Sequence, residues 1–309
     1  MRIEQLEYLE AIVKTGSINE AAKNLYLTQP SLSNAIKELE KEVGVQILLR
    51  SKLGVSLTED GREFLIYARQ ILDNVHLLEE RYQKNAVRKQ ALSISAQHYA
   101  FVVHAFVELI RSVDSEEYQF TLRETETENI LKDLASFKSE IGILYLNAFN
   151  RQVLEKLFKD NDLIFTPLFV AQPHVFVGSQ NPLIGRESVT LEDLEEYPYL
   201  SYEQGERNSF YFAEEILSTI NHKKSIKVSD RATIFNLMVG LNGYTISSGI
   251  ISSELNDDKI VAIPLEVDDS MTLGWLKRNK MELSPLAKDY IDILKEHIEQ
   301  YGFEIINGE

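Results

Sequence analysis

One helix near the start of the chain constrains the fold more than any other feature. Leu32, Ile36, Leu39 and Val43 recur three or four residues apart, so they share one face of a helix and belong in a core. The opposite face carries short polar side chains and one cation, Lys37, where long acidic groups would be repelled by phosphate. A helix with such an outer face can lie close to the floor of a DNA groove, so the pattern predicts a recognition helix.

Capping signals place this helix third in a small amino-terminal domain. Residues 5–14 have an amphipathic helical pattern, and Ser17–Glu20 is a capping box that opens a second helix. Thr28 caps the third helix, and two short β-prone pieces follow at 46–50 and 55–57. Three helices and a small β-wing predict a winged helix-turn-helix over residues 1–58.

Charge is divided unevenly along the chain. The formal net charge is −16, yet residues 1–90 hold 13 basic and 13 acidic side chains, so the whole surplus falls on the remainder. The amino-terminal domain therefore has to contact DNA through a few well-placed cations rather than through bulk charge. We expect a single copy to bind weakly.

A set of residues at fixed spacing runs through this domain. It comprises Gly16, Ser17, Ala21, Ala22, Leu25, Thr28, Gln29, Pro30, Ser31, Ser33, Ile36, Leu39, Glu40, Gly44, Arg50, Leu57, Thr58 and Gly61. The set resembles the amino-terminal domain of LysR-type transcriptional regulators, and the run Asn19–Leu25 is similar to members from low-GC Gram-positive bacteria. One departure is Ile47–Leu48, where the family commonly has Leu-Phe, and this affects packing only.

The resemblance implies that the second and third helices read DNA while the wing contacts the backbone. Carried over by position, the contact residues are Gln29, Pro30, Ser31, Ser33, Asn34 and Lys37 on the helix, and Arg50 and Lys52 on the wing. Gln29, Ser33 and Asn34 suit base edges, whereas phosphate contacts position the protein. Two alternatives stay open: Ser31 could only support the helix start, and Lys37 could be a solvated surface cation.

Residues 59–90 are predicted to be a linker, made of a long helix to about Asn85 and a hinge at 86–90. Apolar side chains recur in the helix with the a/d spacing of a heptad, at Phe64, Ala68, Ile71, Val75, Leu78 and Tyr82. This spacing is typical of a helix packed along a partner helix, and the resemblance implies a homodimer or a dimer of dimers. The alternative is a helix packed against its own domain.

Beyond residue 90, short strands alternate with helices. Strands predicted at 91–96, 118–123 and 140–146 enclose two helices, and this βαβαβ run predicts a mainly parallel sheet with covered faces. The resemblance implies a two-lobed α/β effector-binding domain over 91–309, similar to a periplasmic solute-binding protein. We place lobe one at 91–161 and 270–309, and lobe two at 162–269.

Ligands of such folds bind at the carboxyl ends of strands. The polar residues predicted there are Ser95, Gln97, His98, Thr125, Asn147, Ser201, Tyr202, Ser247 and Ser248. Hydroxyl and amide groups suit a small polar or carboxylate-bearing effector, although each hydroxyl could instead cap a helix.

Signatures of catalysis and of metal binding are missing from the sequence. It has no P-loop, no GxGxxG after a strand, no GxSxG elbow and no HExxH. It has no cysteine, and its six histidines are scattered. We therefore expect neither enzymatic activity nor a cofactor nor a metal site. With no apolar leader and no apolar run of membrane-spanning length, we also expect a cytoplasmic protein without a membrane partner.

These observations predict a LysR-type regulator whose binding to promoter DNA is controlled by a small effector, with RNA polymerase as a further partner. One rival is a solute-binding or enzymatic α/β domain whose amino-terminal module serves only oligomerisation. Another is a constitutive DNA binder whose cleft stays empty.

Overall fold

The computed structural model describes residues 1–51, 54–82, 90–205, 209–251 and 259–306. The chain divides into two compact units, Met1–Arg88 and Lys89–Glu309. Within the described ranges, no helix combines the length and the apolar character that crossing a bilayer requires.

The amino-terminal unit is a helix-turn-helix followed by a two-stranded wing and a long helix. Its elements are α1 Ile3–Thr15, α2 Ile18–Asn24, α3 Gln29–Val43, β1 Leu48–Ser51, β2 Gly54–Leu57 and α4 Glu59–Tyr82. The Ser17 and Thr28 side chains accept backbone N–H groups at the starts of α2 and α3, as the capping signals predict. The strands β1 and β2 pair antiparallel, with Leu48 opposite Leu57.

The first turns of α4 sit directly on the wing, which leaves no room for a side chain at Gly61. A Cβ at Gly61 would lie 2.2 Å from the carbonyl oxygen of Ile47. The Gly61 N–H donates to the Thr58 hydroxyl oxygen at 2.8 Å. That hydroxyl in turn donates to the Gln46 carbonyl at 2.6 Å. This close approach explains why a glycine stands at the start of the linker helix.

The heptad predicted for α4 divides between two faces of the helix. Ala68 is buried and Phe64 is half-buried in the core of their own unit, beside Leu65 and Leu72. The dimerisation hypothesis is therefore wrong for Ala68 and weakened for Phe64. The reason is that α4 packs against α1 and covers the core of its own unit with these side chains. Ile71 and Leu78 are exposed and Val75 is half-buried, while the side chain of Tyr82 lies outside the described part.

The second unit contains two five-stranded sheets with helices packed against them. Its strands are β3 Gln90–Ala96, β4 Tyr118–Glu124, β5 Ile141–Leu146, β6 Leu163–Ala171, β7 His174–Gly178, β8 Tyr199–Tyr202, β9 Ser225–Val228, β10 Tyr244–Ser247, β11 Ile260–Pro264 and β12 Met271–Arg278. Its helices are α5 Ala100–Ser112, α6 Thr127–Ala135, α7 Arg151–Asp160, α8 Arg231–Leu241 and α9 Pro285–Gln300.

Both sheets are mixed rather than mainly parallel. In the first, the order is β4-β3-β5-β12-β6, where β3 pairs parallel with β4 and β5, and β12 pairs antiparallel with β5 and β6. In the second, the order is β11-β7-β10-β8-β9, where β7 is antiparallel to its two neighbours. The prediction of parallel pairing is correct for β3, β4 and β5. The strands β7 and β12, which follow the crossings between the lobes, are antiparallel to their neighbours.

The boundary between the lobes lies later than we predicted. The predicted bounds place residues 163–171 in lobe two, but β6 is hydrogen-bonded to β12 at the edge of the first sheet. The chain therefore leaves lobe one after Ala171, because β6 is paired with β12 from Leu163 to Ala171. It returns with β12, close to the predicted position at residue 270.

Candidate DNA-binding face and effector cleft

The outer face of α3 presents most of the residues predicted to contact DNA. Gln29, Pro30, Ser31, Asn34 and Lys37 are all exposed. Ser33 is the exception, because its side chain is only 6% exposed and lies among Leu32, Ala35 and Ile36 in the buried stripe of the helix. The prediction that Ser33 lies on the outer face was therefore wrong, since α3 packs against both α1 and α2 and buries a wider arc than one row of side chains.

The amino-terminal end of α3 is suited to phosphate. Its first turn carries no acidic residue, so the positive end of the helix dipole is uncompensated there. The Ser31 hydroxyl lies 2.8 Å from that of Thr28, which supports the interpretation of Ser31 as part of the cap. Further along the helix, Glu38 forms an ion pair with Arg2 at 3.3 Å, and this pair partly neutralises the negative charge of that carboxylate.

A residue that the sequence reasoning missed lies beside this end of the helix. Tyr26, in the turn between α2 and α3, is 98% exposed and has a left-handed backbone with φ of 55°. A non-glycine residue rarely adopts that conformation. Its only sequence signal is an aromatic side chain in a turn between two capped helices. On the predicted wing, Arg50 lies on β1, but its side chain and the whole of Lys52 are outside the described residues.

The two lobes of the second unit meet at His98 and Glu214. His98 follows β3 in lobe one, and Glu214 lies in lobe two, after a short 3₁₀ turn at Phe210–Phe212. Glu214 Oε2 accepts the backbone N–H of His98 at 2.9 Å and lies 2.8 Å from its Nδ1. The His98 ring stacks on Tyr202 with centroids 3.9 Å apart, so it is held on two sides.

A second carboxylate lies beside the first, and it is also buried. Glu215 accepts the backbone N–H of Tyr202 at 2.8 Å. Burial, followed by the neighbouring Glu214, raises the pKa of Glu215 to about 8, although Lys227 acts in the opposite direction. The Gln204 amide donates to Glu214 at 3.2 Å. Two adjacent carboxyl groups, one of them with a raised pKa, therefore line the inner surface of the cleft.

A cavity of about 30 Å³ remains between the lobes, which is room for a few water molecules. Its lining includes His98, Tyr202, Glu214, Glu215, Arg231, Thr245 and Ser247. Arg231 also forms an ion pair with Glu124 of lobe one, which is a second contact between the lobes. The buried hydroxyl of Thr245 has no hydrogen-bond partner within the described ranges. An unsatisfied hydroxyl facing a cavity is the kind of group that a ligand or water completes.

The structure brings three of the nine predicted effector residues to this cavity: His98, Tyr202 and Ser247. Ser201 lines a neighbouring, larger cavity of about 350 Å³ in lobe two, and Thr125 is half-buried at the end of β4.

The other four are buried, so they are not exposed on a cleft wall in this closed arrangement: Ser95, Gln97, Asn147 and Ser248. Ser95 donates to Asp133 at 2.7 Å, Gln97 donates to Thr127 at 2.7 Å, and Asn147 exchanges hydrogen bonds with Asn150. The sequence reasoning missed Glu214, Glu215 and Thr245, because nothing in an acidic sequence distinguishes a buried carboxylate from a solvated one.

Comparison with known proteins identifies both units. Residues 3–62 match the family described as bacterial regulatory helix-turn-helix protein, lysR family, and residues 101–299 match the LysR substrate binding domain. The chain is a LysR-type transcriptional regulator.

Relatives and solved structures agree with this assignment. The regulator is 28% identical over 307 residues to the HTH-type transcriptional regulator AlsR of Bacillus subtilis, with 95% of each chain covered. It is 26% identical to the RuBisCO operon transcriptional regulator of Allochromatium vinosum, with 92% of each covered. A mutant of Corynebacterium glutamicum OxyR has the same fold, with a TM-score of 0.52 at 19% identity over 97% of this chain and 94% of that one. The two relatives from Bacillus subtilis and Allochromatium vinosum are both named as transcriptional regulators.

We expect the stability of the regulator's second unit to fall as the pH rises from about 5 to about 8. Glu215 has its pKa raised by burial from 4.5 to about 8, so the folded state keeps a proton that the unfolded state releases. Over that window the loss amounts to a few kcal/mol, on the order of 1.4 kcal/mol per unit of pKa difference. Urea unfolding at both ends of the window measures it.

The matched control for this pH dependence is Glu215→Gln, which keeps an acceptor for the Tyr202 N–H but cannot ionise. Its free energy of unfolding is expected to vary less with pH and to exceed that of the unmodified chain at the alkaline end. A variant that kept the full pH dependence would show that Glu215 is not its source.

Proposed function

We propose that the regulator binds promoter DNA as a homodimer or dimer of dimers, and that a small effector in the interlobe cavity controls this binding. The observation that carries the proposal is the cavity itself, which is lined by two buried glutamates and by the Thr245 hydroxyl, a group without a hydrogen-bond partner in the described part of the chain. Because the cavity holds only a few waters, the effector has to enter an opened form of the cleft and shift the population toward it.

The DNA-binding half of the proposal is supported by the exposed face of α3. Asn34 and Gln29 have amides that suit base edges, and Lys37 lies on the same exposed face as Asn34. A unit with no excess of basic residues makes few phosphate contacts, so two units are needed for useful affinity. Operation in the cytoplasm, with RNA polymerase as a neighbour on the promoter, follows from this proposal.

The dimer is supported by an exposed apolar stripe on α4. Tyr67, Ile71 and Leu78 are exposed on one side of the helix, with half-buried Val75 between them. Their spacing of three, four or seven residues keeps them on one face. A stripe of this kind fits the same stripe of a second copy.

The charge of the cleft favours an effector with a basic group over a carboxylate-bearing one. Glu214 and Glu215 are buried, so a bound anion would face the unsolvated carboxylate of Glu214 and, above the raised pKa of Glu215, a second one. An ammonium group could instead pair with Glu215, whose pKa is raised by burial and by Glu214 and would be lowered by a bound cation. The effector class that we propose is therefore a small amine.

Two four-carbon probes of opposite charge test the effector class. Putrescine is expected to raise the melting temperature of the full chain and to change its affinity for the DNA upstream of its own gene, whereas succinate should do neither. Fluorescence anisotropy gives the affinity and differential scanning fluorimetry gives the melting temperature. Glu215→Gln should lose the response to putrescine, and Glu203→Gln, an exposed neighbour, should retain it.

The two halves of the proposal fail separately in this experiment. A response to succinate alone would overturn the amine assignment while leaving DNA binding intact. Absence of salt-sensitive, sequence-selective DNA binding without any probe would overturn the DNA-binding role itself.

A further inference from the structure

A cluster of potential metal ligands lies in lobe one, between two helices of the effector unit. His104 and Glu108 are one helical turn apart on α5, and His297 faces them from α9. One ligand atom from each residue lies within 4.8 Å of the other two. Sequence reasoning gave no metal site because His297 is almost 190 residues from Glu108 in the chain.

The immediate environment of His297 is unusual for a histidine that only fills space. Its Nε2 lies 2.9 Å from Glu108 Oε2, but the two atoms are not aligned as a hydrogen bond. Its Nδ1 has no hydrogen-bond partner in the part of the chain that the structure describes. Leaving a buried imidazole nitrogen unsatisfied is costly, and an ion bound at Nε2, the nitrogen close to Glu108, would remove that cost for Nε2.

The three side chains are held by a packed framework. The His104 and His297 rings have centroids 4.1 Å apart, and both side chains are buried. Nearby, the Tyr290 hydroxyl of α9 donates to the Val102 carbonyl of α5 at 3.0 Å, which holds the helices in register. Small side-chain rotations, without movement of the helices, would bring the donors to the separation that a tetrahedral ion needs.

We propose that His104, Glu108 and His297 bind one divalent transition-metal ion, with Zn²⁺ as the best fit. Two imidazoles and one carboxylate form a donor set that Zn²⁺ accepts, with distances near 2.0–2.2 Å. The side chain of Glu108 is 43% exposed, so an ion can enter from solvent and keep water as its fourth ligand.

The ion would join the helix next to the cleft to the last helix of the fold. Helix α5 begins two residues after His98, and Ala100 lines the interlobe cavity. The site is separate from that cavity, so this inference does not depend on the identity of the effector. Its main consequence is stabilisation of the α5–α9 contact.

Metal binding is tested on the full chain after treatment with a chelator. Co²⁺ is expected to give the visible absorption bands of a tetrahedral centre and to saturate at one ion per chain. Zn²⁺ should displace it, and at about a hundredfold excess over its Kd should raise the melting temperature by about 5–10 °C.

Three variants separate the proposed site from adventitious binding. His297→Gln and Glu108→Gln should each weaken Co²⁺ binding at least about tenfold, whereas His76→Gln, an exposed histidine of the other unit, should not. Glu108→Gln keeps the test open if the buried histidine variant does not fold. Unchanged Co²⁺ spectra in Glu108→Gln, or no saturable spectrum in the unmodified chain, would overturn the proposal.

Discussion

Replacing Gln29, Asn34 and Lys37 together with alanine is expected to weaken operator binding at least about 100-fold, because each base contact contributes about 1–3 kcal/mol and each loss occurs twice in a dimer. All three side chains are exposed on α3, so their removal leaves the core untouched. Fluorescence anisotropy with the promoter fragment measures the affinity, and circular dichroism checks that the fold is retained.

Single variants assign the roles within this face. Lys37→Ala should weaken binding to all sequences alike and reduce the slope of log K against log salt by about two for a dimer. Asn34→Ala should instead reduce the preference for the operator over unrelated DNA. Lys14→Ala removes the same charge from an exposed position on α1 and serves as the control. If the triple variant bound the operator normally, α3 would not be the reading helix.

Placing aspartate at both Ile71 and Leu78 is expected to convert the dimer to a monomer and to reduce operator affinity at least about 100-fold. Two charges per helix in a paired apolar stripe leave four carboxylates facing one another without solvent. The lost affinity follows from the loss of linked binding by two weak units. Multi-angle light scattering gives the mass, and anisotropy gives the affinity.

The matched control for the dimer is Ile66→Asp. Ile66 is 60% exposed, more than the 38% of Ile71, but it lies on a different side of α4. It should leave the chain dimeric. A dimeric Ile71→Asp, Leu78→Asp double variant would show that another surface joins the copies.

Local structure in the amino-terminal unit could be predicted well because its signals are local. Ser17 and Thr28 cap helices that the sequence places within a residue or two of their observed starts. A cap depends on a side chain and a backbone N–H only three residues apart, so no tertiary contact is needed to recognise it. The strands predicted at 91–96 and 118–123 likewise lie within one residue of the observed bounds of β3 and β4.

Local signals in the sequence could not identify which face of a predicted helix is exposed. Ser33 and Ala68 both fit the periodicity of a contact surface, and both are buried inside their own unit. Periodicity identifies the apolar side of a helix, but the width of the buried arc depends on how many neighbours pack against it. For α3 and α4 those neighbours come from other parts of the chain.

The sequence alone determined the family, the two-unit organisation and the polar outer face of α3, because these depend on residue types at short, regular spacing. Tertiary structure alone decided which carboxylates are buried and which histidines meet. Glu214 contacts His98 across more than a hundred residues, and His297 reaches Glu108 from the last helix. Such contacts carry the chemistry of the cleft and of the metal cluster, and they exist only because folding brings distant segments within a few ångströms.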